Sequence, residues 1–329
     1  MSPARDHEEL WAELTSFSDT FTCYSSALAT WLAAERGDWA DVVDPGLWLV
    51  LSDEPGLLFG YSHFPPGLRG TLGLVRTGAQ DAEAAVAGVL GEIGRSGRVI
   101  VAGDGYHLPW HVAHGRRRVP HWYVLLAAPG GAELLDPFAC RNELGLQQSA
   151  RRPVGESELA TLLAGLPGDD PVLALRESLA LGDVAGAPDG RPYQWFERGG
   201  TASVPAPTGV EGPEAALRLA AHFREHGQDP AAYGQSDDIW SIARHRAFLR
   251  LHAERTAAAH GDEPLAAWVQ AHATPLAKRW GHMAPLLMQA SLTLASGRAA
   301  TASVPDALEG LAELERAAAV ALAPISSTI

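Results

Sequence analysis

Cys23, His121 and Asp136 are the residues whose types could together run covalent chemistry. A thiolate attacks a carbonyl carbon, an imidazole moves the proton, and a carboxylate orients the imidazole. Cys23 stands in Thr20-Phe21-Thr22-Cys23-Tyr24-Ser25-Ser26-Ala27-Leu28. Asp19, Thr20 and Thr22 are capping candidates just ahead of a run in which Tyr24, Leu28, Trp31 and Leu32 share one helical face. This spacing predicts a helix over residues 23–36 with the thiol in its first turn. Backbone N–H groups and the helix dipole there favour a thiolate and can stabilise an oxyanion. The competing reading is a small buried cysteine at a helix start. Cys140, in what reads as a loop after Asp136-Pro137-Phe138, is a structural residue or a bystander near the site.

The base and its orienting acid are read from a hairpin. His121 opens the apolar run 122–126, Pro129-Gly130-Gly131 marks a turn, and residues 133–136 return. A turn symmetric about Pro129 and Gly130 pairs Ala127 with Ala132 and His121 with Phe138. Asp136 then lies diagonal to His121 on the same sheet face, at about 7–8 Å between Cα atoms, within side-chain reach. A slip of one residue would point Asp136 away.

The elements that must position these groups read as α+β. Residues 47–51, 98–102 and 122–126 are short Val-, Ile- and aromatic-rich runs suited to strands, and a second helix is expected over residues 81–93. Residues 186–213 hold six Gly and five Pro, which reads as a linker, and Tyr193 to Glu197 inside it is either a short strand or a packing segment. From Glu211 the pattern turns helical. Ser236 followed by Asp237 and Asp238 marks a helix start, with Trp240, Ala243, Ala247, Phe248 and Leu251 as its stripe. Leu308, Leu311, Leu314, Ala318 and Leu322 form another stripe, and Pro275 and Pro285 break the stretch between. A length of 329 residues suits two domains, and 47 % hydrophobic residues supply their cores. With 25 Lys and Arg against 39 Asp and Glu, the net charge of -14 excludes a nucleic-acid binder or an anionic-membrane binder. Two cysteines cannot build a disulfide framework. No apolar run is long enough to span a membrane and the N-terminus lacks a signal-peptide core, so a cytoplasmic protein is expected.

Four segments carry a resemblance. Cys23-Tyr24-Ser25-Ser26-Ala27-Leu28-Ala29, then Val101-Ala102-Gly103-Asp104-Gly105-Tyr106-His107-Leu108-Pro109-Trp110-His111, then Pro120-His121-Trp122-Tyr123-Val124, then Leu135-Asp136-Pro137 resemble, in this order and spacing, the butirosin-biosynthesis acyltransferase family. The resemblance covers residues 1–150 by motif and the rest by architecture. It implies a papain-like catalytic domain, taken here as 1–185, followed by the linker at 186–213 and an α-helical domain at 214–329. It also implies Cys23 as nucleophile, His121 as base and Asp136 as orienting acid. The implied reaction moves an acyl group from an acyl or peptidyl carrier-protein thioester to an amine of a small-molecule acceptor, or to an internal nucleophile, in natural-product biosynthesis. The only cofactor is then the phosphopantetheine that the donor protein carries. Thr22 stands where the family often has His, and no Gln lies shortly upstream of Cys23. Backbone N–H groups, or a hydroxyl such as that of Ser18 or Thr20, would have to hold the oxyanion. A cysteine peptidase or amidase on the same scaffold and a non-catalytic carrier-binding module are the competing readings.

Asp104 either binds an acceptor amine, with Tyr106 and His107 as further substrate-binding candidates, or braces its loop. Arg116-Arg117-Arg118 is the densest basic run, and it either docks an acidic carrier protein or forms a solvated loop. His107, His111, His114 and His121 lack a strict zinc spacing, and Pro109 spoils a helix that would align the first two, so no metal site is expected.

Overall fold

Six short runs of strand-forming residues, the first and last separated by more than a hundred positions, assemble into one antiparallel sheet. The computed structural model describes residues 6–52, 60–64, 72–142, 144–165, 179–180, 191–199, 209–234 and 236–326. They fall into two compact units: residues 1–43 with 66–205, and residues 44–65 with 206–329. The first unit is α+β and holds the sheet. Its order is Leu74–Ala79, Tyr193–Arg198, Arg98–Asp104, Pro120–Ala128, Gly131–Asp136, Ala150–Val154, with all neighbours antiparallel.

Helices pack on both faces of the sheet. Val99, Val101, Tyr123, Leu125 and Leu134 share a buried cluster with Ala85, Val89 and Ile93 of helix Ala82–Ser96. The Asp81 side chain caps that helix by accepting from Ala84 N at 2.8 Å. It runs three residues past the expected end at 93, because Gly97 is the residue that takes the left-handed turn, at φ 78°. On the opposite face Trp122 meets Phe196 and Tyr24, with ring centroids 5.2 Å and 5.7 Å away. Tyr24 belongs to helix Cys23–Ala33, which packs against strand Pro120–Ala128 and is buried from Ser25 onward. That helix stops short of the expected residue 36: the N–H groups of Glu35 and Arg36 both close onto Leu32 O.

The second unit is mostly helical. Its principal helices are Pro213–His226, Ser236–His260, Glu263–Trp268, Thr274–Gly281, Met283–Ala295 and Ser303–Ser326. Pro275 and Pro285 sit in the first turns of their helices, where a missing N–H is harmless. In Ser236–His260 the buried side is Ile239, Ile242, Ala243, Phe248 and Leu249, while Trp240, Ala247 and Leu251 of the expected stripe are only half-buried. The helix is covered on a wider arc than one stripe spans.

The expected division at 185, with a linker at 186–213, is not the one that forms. Tyr193–Arg198 is a strand inside the sheet, between Leu74–Ala79 and Arg98–Asp104, with Trp195 and Phe196 buried. Val210–Glu211 pairs with Val50–Leu51 in a second sheet ordered Val210–Glu211, Val50–Ser52, Gly60–Ser62. Among the described residues of this stretch, Pro192 and Gly199 flank the first strand, and Gly209 and Gly212 flank the second. Residues 44–65 belong to the helical unit: Leu49, Leu51 and Tyr61 lie in its core, and the fully buried Arg246 binds their loop. Its guanidinium donates to the carbonyls of Gly46, Leu47 and Trp48 and forms an ion pair with Glu315 at 2.8 Å. The indole of Trp280 donates to the same Glu315 oxygen at 2.8 Å. Among the described residues, no helix is long and apolar enough to cross a membrane.

Candidate functional site

The local sequence Thr22-Cys23-Tyr24-Ser25 starts a helix by a reciprocal cap. Thr22 has extended backbone, its hydroxyl accepts from Ser25 N at 3.1 Å, and its own N–H donates to Ser25 Oγ at 2.8 Å. Cys23 is therefore the first helical residue, half-buried, where the N-terminal dipole favours a thiolate. Of the three capping candidates, Thr22 takes the role. The buried Thr20 hydroxyl donates instead to Phe17 O at 2.7 Å, so it has no hydrogen left for an oxyanion.

The hairpin forms in the register read from the sequence. Ala127 pairs with Ala132, and the ladder continues to Val124 with Leu135. Gly130 and Gly131 turn it at φ 82° and 151°. Asp136 thereby reaches the face of His121, and Asp136 Oδ2 lies 2.6 Å from His121 Nε2. Both side chains are buried, at 0 % and 1 % exposed. Asp136 Oδ2 also accepts the Trp110 indole N–H at 2.8 Å, and Oδ1 accepts Phe138 N–H at 3.2 Å. Three donors on one buried carboxylate hold it in place. With Nε2 directed at Asp136, Nδ1 is the imidazole nitrogen left to exchange a proton with a reacting group. The Cys23 helix packs on this strand through Tyr24 and Trp122, on the sheet face opposite the one that His121 shares with Tyr123; the partners of His121 itself are Asp136, His111 and Phe138.

The loop between strands Arg98–Asp104 and Pro120–Ala128 is built around Asp104. Its carboxylate is fully buried. Oδ1 accepts from Tyr106 N at 3.0 Å and Val119 N at 3.2 Å, and Oδ2 accepts from Arg118 Nε at 2.6 Å. Asp104 thus braces the loop. Tyr106 and His107 pack on each other at 5.0 Å, and neither makes a hydrogen bond, ion pair or ring contact with His121 or Asp136. The arginine run is exposed, but two of its members are tied to the chain itself. Arg118 also donates to Gly165 O at 2.8 Å, and Arg116 donates to Leu144 O at 2.8 Å. Cys140 is buried in the short hairpin of Cys140–Asn142 and Gly145–Gln147. That hairpin begins two residues after Phe138, whose ring is 5.7 Å from that of His121.

Two consecutive loop residues escaped the reading of the sequence as partners of the pair. Trp110 serves Asp136, and His111 serves His121. The His111 and His121 ring centroids are 4.5 Å apart, with an interplanar angle of 63°. Burial pushes His111 down to about 2, and the neighbouring His121 adds to the effect. The one signal for either residue was its place in the segment 101–111. Among the described residues, no group of three His, Cys, Asp or Glu side chains is arranged to hold a metal. No family model matches the chain, and no curated protein matches it.

Proposed function

We propose that this protein is a cysteine-dependent acyltransferase with a papain-like arrangement of Cys23, His121 and Asp136. The observation that carries the reading is the buried 2.6 Å bond between His121 Nε2 and Asp136 Oδ2, on the strand against which the capped Cys23 helix packs. In this reading the Cys23 thiolate adds to the carbonyl carbon of a carrier-bound thioester. The bond from that carbon to the pantetheine sulfur breaks, and the departing sulfur takes the proton held on His121. An amine then adds to the S-acyl cysteine and gives its proton to His121. The bond to Cys23 breaks and an amide leaves. An internal nucleophile would release a ring by the same steps. The substrate side is a carrier protein bearing phosphopantetheine and a small-molecule acceptor.

Intact-protein mass spectrometry tests the reading. The wild-type chain, incubated with octanoyl-N-acetylcysteamine, should gain one octanoyl mass, and C23A should gain none. Added amine should then remove the adduct and yield octanoyl amide. An adduct that persists in C23A, or none on the wild type, would sink the proposal. Carrier-independent cleavage of peptides would move it to an amidase.

A further inference from the structure

His111 is a half-buried imidazole with one ring nitrogen committed and the other without a protein partner among the described residues. Its Nδ1 accepts the N–H of Ala113 at 3.0 Å, so the ring hydrogen resides on Nε2. Among the described residues nothing accepts a hydrogen bond from that Nε2. The ring lies 4.5 Å from that of His121.

The loop is shaped to hold this ring. A Cβ on Gly105 would fall 2.6 Å from His111 Nδ1, 2.8 Å from its Cε1 and 2.8 Å from Val119 Cγ2. Gly105 N bonds Val119 O at 2.7 Å, and His111 N bonds Leu108 O at 2.9 Å. The Asp104 clasp with Tyr106 N, Val119 N and Arg118 locks the base of the same loop.

The acyl-transfer reading sets a backbone N–H at the start of the Cys23 helix against the developing oxyanion and asks for a second donor beside it. A carbonyl oxygen gains negative charge as the thiolate adds, and a fixed N–H in a water-poor site is the group that stabilises it. The chain has no Gln shortly before Cys23, and the Thr20 hydroxyl is spent on Phe17 O. We propose that His111 donates its Nε2–H to the carbonyl oxygen of the acyl group under transfer, beside His121; this rests on the acyl-transfer reading. A neutral imidazole suits the task. His121 must become an imidazolium during the reaction, and a second cation 4.5 Å away would oppose that. The Ala113 N–H aimed at Nδ1, together with burial, keeps His111 uncharged. The same use of a neutral histidine as electrophile is established in isomerase chemistry.

Two reactions of Cys23 separate this role from a packing role. Acylation by octanoyl-N-acetylcysteamine builds an oxyanion, and alkylation by iodoacetamide does not. H111F keeps a ring and removes the donor, whereas H111Q restores an N–H. Acylation should fall about 10²-fold in H111F, the usual loss for one oxyanion donor, with alkylation within about threefold of wild type. H111Q should recover about tenfold of the loss. G105A, which expels the ring, should match H111F and serves in its place should H111F not fold. Wild-type acylation rates in H111F or G105A would overturn the proposal. So would acylation and alkylation falling together, which would make His111 a packing residue. Failure of the parent reading looks different: the wild type itself would form no Cys23 adduct.

Discussion

The indole N–H of Trp110 rests on Asp136 Oδ2 at 2.8 Å, the same carboxylate oxygen that lies 2.6 Å from His121 Nε2. Trp110 also packs edge-on against Tyr123 at 5.6 Å, which fixes the indole plane. One oxygen thus ties the loop to the strand pair. W110F keeps the ring packing and removes the donor. A hydrogen bond to a charged group is worth about 1.5–3 kcal/mol, so stability should drop by that order. Acylation by a small thioester should slow about tenfold as Asp136 loosens. Urea denaturation and rapid-quench acylation check the two effects. An unchanged acylation rate would mean the indole only fills space.

Asp136 has no side on which an amide fits. Oδ2 faces the N–H groups of Trp110 and His121, and Oδ1 faces Phe138 N–H. D136N must set its NH₂ against a donor in either orientation. Acylation should fall about 10²-fold or more, the range that acid–base catalysis contributes. Wild-type turnover in D136N would remove Asp136 from the mechanism.

Thr22 holds the first turn in which Cys23 sits. T22A breaks the bond from Ser25 N and should cost about 1 kcal/mol of stability. It should also slow alkylation of Cys23 by iodoacetamide at neutral pH, since a frayed first turn aims its dipole less well at the sulfur. T22S, which keeps the hydroxyl, should behave as wild type. Equal losses in T22S and T22A would show that the methyl group matters instead of the cap.

Acid should weaken the helical unit through His245. This ring is fully buried, and its Nδ1 meets the Tyr61 hydroxyl at 2.6 Å. Burial holds it well below the ordinary 6.5, and His63 and Arg246 push the same way. The folded state refuses a proton that the unfolded chain accepts below about 6.5, so stability present above that pH is lost as pH falls. The slope reaches about 1.4 kcal/mol per pH unit for each such group. His111 contributes in the same window, from about 6.5 downward, in the other unit. Glu35 and Glu133, held low by arginine partners that outweigh their burial, add losses only below about pH 4.5. Urea midpoints measured from pH 7 to pH 5 should fall, and less steeply in H245Q. A flat wild-type profile would contradict the assignment.

What was legible in the sequence was local. Pro129-Gly130-Gly131 set the hairpin register, and that register puts Asp136 on the face of His121. Thr22 before an apolar run gave the helix start. Asp104 after a strand gave the loop brace, one of its two readings. What was illegible depends on distant partners. Nothing around Trp195 says that Thr77 and Val101 flank it, so Gly and Pro density suggested a linker. Trp110 and His111 lie in a loop without periodicity, and only the fold brings them to Asp136 and His121. Segment 44–65 belongs with the helical unit through partners up to about 200 residues later, Arg246 on the carbonyls of Gly46, Leu47 and Trp48 and His245 on Tyr61, and helical patterning carries no sign of that choice.

The strand Tyr193–Arg198 has a consequence for how the molecule is made. It occupies an interior position in the sheet, between strands that leave the ribosome about a hundred residues earlier. A nascent chain halted at residue 185 would carry Leu74–Ala79 with no neighbour and an open edge along Arg98–Asp104. Truncation there, the natural choice for isolating the N-terminal half, should therefore yield an aggregating fragment rather than a minimal enzyme.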